Sequence, residues 1–147
     1  MADVEIDGHS LTIEEAISIA NGNNTAVLAQ SARRRMEKSR KGVEQIIDSG
    51  EVVYGINTGF GAMSSVRIAG DDLEQLQTNL IKSHACGVGD LMDPEHVLLM
   101  MVFRANSLAK GVSGIRPKIV DLLLQIIQMS YFKVLATLLM TLLLLDI

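Results

Sequence analysis

Asp93-Pro94-Glu95-His96-Val97-Leu98-Leu99-Met100-Met101-Val102-Phe103-Arg104-Ala105-Asn106-Ser107-Leu108-Ala109-Lys110-Gly111 is the stretch on which the fold turns. Proline at the first helical position gives up only an N–H that has no partner inside the helix, so Asp93-Pro94 reads as a helix start. Leu98, Met101, Val102, Ala105 and Leu108 then recur at helical spacing as a broad apolar face, and Gly111 closes the element. A face that wide has to be covered by other elements, and the flanking sequence supplies them.

Upstream, Asp71 or Asp72 can cap a helix carrying Leu73, Leu76, Leu80 and His84, with Glu74 in its first turn and Gly87 at its end. Downstream, another helix starts near Arg116-Pro117. Towards the N-terminus, Thr12 with Glu15 three residues on forms a capping box ahead of Ala16, Ile17 and Ile19, and Gly22 supplies the stop. A longer helix is expected from about Thr25 to Asp48 on the stripe Leu28, Ala32, Met36, Val43 and Ile47, with Arg33, Arg34, Lys38 and Lys41 off it and Gly50 at its end. Val4-Glu5-Ile6-Asp7-Gly8 alternates apolar and polar residues and ends in a turn dipeptide, which suggests a short strand or hairpin arm. The expected fold is mainly α with a short β-hairpin arm.

Composition agrees. Aromatic residues make up 3% of the 147, tryptophan is absent, and Leu, Ile, Ala and Met, which lose little freedom in helices, are plentiful. The length suits one domain with a real core. A net charge of -4 with both signs interspersed offers no basic face to a phosphate backbone, so nucleic acid is not an expected partner. The one cysteine, Cys86, cannot close an intrachain disulfide, and Met1-Ala2-Asp3-Val4-Glu5 lacks the flanks of a secretion signal. Both fit a cytoplasmic protein, with Cys86 read as a small buried packing residue.

Two regions stand apart. From Ile119 to Ile147 there is neither glycine nor proline, and Val134 to Leu145 is apolar on every face. Bounded by Lys133 and Asp146, that run falls short of the roughly 20 apolar residues that span a bilayer, so it reads as a core or interface helix rather than a membrane anchor. The other region, Glu51 to Gly70, holds four glycines among small and polar residues and reads as a structured loop. Within it, Val53-Tyr54-Gly55-Ile56-Asn57-Thr58-Gly59-Phe60-Gly61 brings Tyr54 and Asn57 to a backbone that glycines free to approach a ligand. Spacing alone also allows a tight turn with a half-buried tyrosine, in which Asn57 bonds its own loop.

This string resembles the loop that the aromatic amino acid ammonia-lyases place over their active site. Three further segments agree in order and spacing: Leu76-Gln77-Thr78-Asn79-Leu80-Ile81-Lys82-Ser83-His84-Ala85-Cys86-Gly87-Val88-Gly89, then Arg104-Ala105-Asn106-Ser107-Leu108-Ala109-Lys110-Gly111, then Ser113-Gly114-Ile115-Arg116. The resemblance covers roughly Val4 to Leu124. It implies a helical enzyme that eliminates ammonia from an aromatic amino acid, with Tyr54 as the catalytic base for the β-proton. A loop suits that role because it can close over substrate and exclude water. Ser83-His84 is the arrangement typical of histidine-specific members and implies L-histidine as substrate and urocanate as product. His84 would receive the substrate imidazole, since a neutral imidazole donates from one nitrogen and accepts at the other. Asn57 is a candidate substrate-binding residue, Arg67 and Arg116 are candidate carboxylate partners, and His9 and His96 read as surface or packing residues.

The resemblance also implies a homo-oligomer, with active sites shared between subunits, and a self-formed methylidene-imidazolone electrophile made by cyclising Ala-Ser-Gly. That tripeptide is absent: glycine does not occur after Gly114, and Ser49-Gly50 and Ser113-Gly114 follow Asp48 and Val112. No cofactor is therefore expected in this chain. Residues 1-124 read as the lyase-like region, and 125-147 as a divergent leucine-rich tail with the character of a shifted reading frame. On this reading the chain belongs to an enzyme family but is incomplete as a catalyst. The alternative is a non-catalytic helical binding or assembly module derived from a lyase.

Overall fold

The computed structural model describes residues 3–59, 66, 68, 72–87 and 89–129. The elements run β1 (Asp3–Ile6), α1 (Ile13–Ala20), β2 (Thr25–Leu28), α2 (Gln30–Ser49), α3 (Leu73–His84), α4 (Pro94–Ala109) and α5 (Pro117–Gln128). The chain is thus mainly α with a small β element. Of the leucine-rich tail, residues 125–129 are described and complete α5; residues 130–147 and Arg67 lie outside the described residues.

At the N-terminus the structure corrects the hairpin arm. β1 and β2 pair in parallel, Asp3 opposite Thr25 and Ile6 opposite Leu28, so α1 is a crossover and the unit is a small βαβ. The same pairing moves the start of the second helix from Thr25 to Gln30. Leu28 matched the helical stripe, but Thr25 and Val27 are β-branched, and the ladder to β1 outweighs a weak local preference. The Gln128 side chain at the end of α5 donates to the Ala26 carbonyl at 2.6 Å.

Two helix starts carry the caps expected of them, whereas Asp72 stands at the N-cap of α3 without a side-chain capping bond. Thr12 accepts from the Glu15 backbone N–H while the Glu15 carboxylate takes the Thr12 N–H, the reciprocal box expected. Asp93 accepts from the Glu95 N–H at 2.8 Å, with Pro94 behind it. α2 ends at Gly50 in the left-handed conformation.

α4 is the centre of the core. Val97, Leu98, Met101, Val102, Ala105, Leu108 and Ala109 are all buried along it. Ala16, Ile19 and Ala20 from α1 and Val120, Leu123, Leu124 and Ile127 from α5 complete the layer, joined by Ile6, Ala26, Ala32 and Met36. Arg33 ties α2 to α5 through two hydrogen bonds to Asp121, 2.7 and 3.1 Å, with both side chains about one-third exposed.

Arg35 joins three other pieces. Its guanidinium donates to the carbonyls of Asp7, Ala109 and Lys110, at 2.5, 3.2 and 3.3 Å, so one side chain caps the end of α4 and holds the turn after β1. Asn106 adds a bond from its Oδ1 to the Gly8 N–H at 2.9 Å. Gly111 makes this junction possible: its φ is 75°, and a Cβ there would lie 2.7 Å from Arg35 Cβ and 2.9 Å from the Met36 nitrogen. In the turn itself, the Asp7 carboxylate accepts from the Ser10 and His9 backbone N–H groups, which hold it below the ordinary aspartate range.

α3 is different, because none of its described side chains is fully buried. A 12-residue helix has little stability of its own in water and depends on packing. Two outcomes follow. Met101→Ala removes a fully buried side chain and should cost about 2–5 kcal/mol in a denaturant titration. In amide hydrogen exchange, residues 97–108 should exchange about a hundredfold more slowly than residues 76–84; equal rates would show that α3 belongs to the same cooperative unit as α4.

Candidate active site

Residues 51–59 follow α2 directly, and Asn57 organises them. Its Oδ1 accepts the Val53 N–H at 2.9 Å and its Nδ2 donates to the Glu51 carbonyl at 2.7 Å. Asn57 as a whole is 3% exposed. Ile56 and Asn57 also donate backbone N–H bonds to the Val53 carbonyl, and Gly55 takes φ of 80°. The result is a tight turn with Tyr54 at its outer corner, 64% exposed. Gly59 N–H to Val66 carbonyl and Ile68 N–H to Asn57 carbonyl, 3.1 and 2.9 Å, close the base of the longer loop. Thr58, buried, turns its hydroxyl to the Gly59 carbonyl at 3.0 Å. Sequence reading did not single out Thr58, for a lone threonine in a glycine-rich string carries no signal of burial.

Beside this turn lies a cleft of about 590 Å³. Gly55 and Ile56 form one side, Glu74 and Gln77 of α3 another, and Arg40, Val43 and Ile47 of α2 a third, with Ser113 to Arg116 and Ile119 closing it. Three of the four segments that carry the family resemblance therefore meet around one cleft. Gly114 sits against Val43, in a space a β-carbon would fill. Neither Tyr54 nor His84 lines the cleft. Tyr54 neighbours it through Gly55, and His84 stands seven residues beyond Gln77, roughly 10 Å along the helix axis. A smaller hollow of about 290 Å³ between α1, β2 and the end of α5 contains none of the candidate residues.

His84 is exposed at the last position of α3. Its Nδ1 lies 2.9 Å from Ser83 Oγ and 3.0 Å from the Leu80 carbonyl oxygen, and Ser83 Oγ is 2.8 Å from the same oxygen. Cys86, expected to be buried, is exposed instead. The helix ends at His84, and residues 85–87 just beyond it are exposed. His9 and His96 are exposed.

Arg116, a candidate carboxylate partner, is the exposed N-cap of α5. Its charge is partly answered, because Glu44 on α2 lies within electrostatic reach. The Arg40 hydrogen bond at 2.8 Å, with the Arg40 and Arg116 charges, holds the Glu44 carboxyl below the ordinary glutamate range. Sequence reading did not single out Arg40; its place on the cleft comes from the tertiary fold. Among the described residues, no three His, Cys, Asp or Glu side chains gather as metal ligands, and no helix is long and apolar enough to cross a membrane.

The chain as a whole, helical layer and glycine-rich turn included, is similar to known proteins. Residues 11–134 match the family described as aromatic amino acid lyase, and the chain belongs to that family. Histidine ammonia-lyase of Geobacillus thermodenitrificans is 49% identical over 121 residues, 82% of this chain and 24% of its own length. Histidine ammonia-lyase of Shouchella clausii is 47% identical over 88% of this chain and 26% of its own. Among solved structures, histidine ammonia-lyase from Trypanosoma cruzi superposes with a TM-score of 0.77 at 35% identity, over 87% of this chain and 24% of its own. The chain spans about a quarter of the length of the curated relatives it matches.

Asn57→Ala should leave the Val53 N–H and the Glu51 carbonyl without their partner, at a cost of about 1–3 kcal/mol confined to the loop. Limited proteolysis is expected to cut between residues 51 and 59 faster in this variant, with the thermal midpoint of the helical core almost unmoved. A loop as resistant as the wild type would show that Asn57 does not brace it.

Proposed function

We propose that this chain is the N-terminal part of a histidine ammonia-lyase, acting in the elimination of ammonia from L-histidine to give urocanate. The observation that carries the reading is Tyr54, held exposed beside the cleft by the Asn57 bonds, in a chain 49% identical to a histidine ammonia-lyase. In this role the Tyr54 oxygen removes the β-proton of the substrate. A base must come within hydrogen-bond reach of the proton it takes, and a turn fixed at both ends lets the phenol approach without refolding the loop. His84 receives the substrate imidazole. Asn57 serves the substrate chiefly through the turn it holds.

These residues do not fit the family's electrophile. The 147 residues contain no Ala-Ser-Gly, so no step through that group is derived from them. The chain supplies the base and a recognition group, and the electron sink for amine loss lies elsewhere. The same absence favours the second reading, a non-catalytic module retaining a lyase-like surface. With the lyase reading go assembly with further copies and a cytosolic setting, to which the free, exposed Cys86 is suited.

A chimera separates the two readings. Residues 1–124 joined to the matching remainder of the Geobacillus thermodenitrificans enzyme should form urocanate from L-histidine, followed by its absorbance. Tyr54→Phe in that chimera should lower the rate about a hundred- to ten-thousand-fold, while the 147-residue chain alone should form none. A folded chimera without turnover favours the module; turnover indifferent to Tyr54→Phe removes the base.

A further inference from the structure

Ser83 does more than precede a histidine. Its Oγ sits between the Leu80 carbonyl oxygen, 2.8 Å away, and His84 Nδ1, 2.9 Å away, and the same Nδ1 is 3.0 Å from the Leu80 oxygen. A carbonyl oxygen only accepts. If Nδ1 carried its lone pair, two acceptors would face each other at 3.0 Å; if Nδ1 carries the proton, it can be shared between the Leu80 oxygen and Ser83 Oγ. The serine hydroxyl has one hydrogen, and with Nδ1 as donor that hydrogen goes to the Leu80 oxygen while Oγ accepts from the ring. The three groups are mutually consistent only in that sense.

We infer that Ser83 is a positioning residue that holds neutral His84 as the Nδ1–H tautomer, leaving Nε2 as a hydrogen-bond acceptor. Imidazole in water favours the opposite tautomer, with the proton on Nε2, so the local carbonyl and hydroxyl reverse the usual preference. A ring held this way takes a ligand that offers an N–H or O–H, and it turns away one that offers only lone pairs. The tautomer stands on the hydrogen bonds alone; its use in receiving a substrate imidazole rests on the lyase reading.

The test uses the full 147-residue chain, 15N-labelled at histidine, at about pH 8, where imidazole is neutral. Long-range proton–nitrogen correlation reads which ring nitrogen bears the hydrogen. His84 is expected as Nδ1–H, unlike the exposed His9 and His96. Ser83→Ala should shift the His84 tautomer ratio about fivefold towards Nε2–H, and Ser83→Thr, which keeps the hydroxyl, should restore it. A wild-type His84 that is mostly Nε2–H, or a ratio unmoved by Ser83→Ala, overturns the inference. Titration with free imidazole then isolates the reading it serves: an Nε2 shift on binding supports recognition, whereas the expected tautomer with no Nε2 response leaves Ser83's role intact and removes His84 as the imidazole receiver.

Discussion

Burial of one face of α4 is the constraint on which everything else depends. Seven of its side chains, from Val97 to Ala109, are buried, and α1 and α5 are where they are because they cover that face. The βαβ unit at the N-terminus follows as a consequence, since Ile6 and Ala26 are buried in the same core and can reach it only when their strands lie side by side. At 20–33 cal/mol per Å² of apolar surface, a contiguous core of this kind outweighs the weak preferences of any single segment. It leaves the rest of the chain attached to a firm base.

What is attached behaves differently. The first half of α2 belongs to the core through Ala32 and Met36, while its second half, with Val43 and Ile47, lines the cleft. The Tyr54 turn and α3 extend from there and, among the described residues, contribute no apolar side chain to the core. The polar contacts divide in the same way. Arg33 and Arg35 bind core elements to one another, whereas the Asn57 amide and the Ser83–His84 pair organise only their own neighbourhoods. Recognition groups thus sit on short, locally braced segments carried by a packed helical layer, the usual division between scaffold and functional loop.

Sequence reading reached the helices where a physical signal was local and strong. Thr12-Glu15 and Asp93-Pro94 marked true starts, and Gly50 and Gly111 lie just past true ends. It missed β2 because a four-residue strand stabilised by a partner 22 residues away leaves almost no local trace, and Leu28 happened to continue a helical stripe. Cys86 was misplaced because cysteine is most often a buried residue type, and nothing in the local sequence shows that the residues just after α3 stay exposed. Around the candidate site, Tyr54, Asn57 and His84 were named from the resemblance. That Asn57 bonds its own loop was a reading the sequence allowed, and its amide does so; the meeting of Arg40 with the Ser113–Arg116 segment needed the tertiary fold.

The bond from Gln128 to the Ala26 carbonyl bears on how this small sheet coexists with other chains. An open edge of a small sheet invites any extended peptide to add itself as a further strand. A glutamine at the end of α5 occupies one acceptor on β2 with a side-chain amide, which mimics a neighbouring strand for a single residue and then stops. Growth of the sheet in that direction is checked by a helix terminus instead of by charge or proline. The last turn of α5 is thereby tied to β2 by a side chain rather than by a further strand.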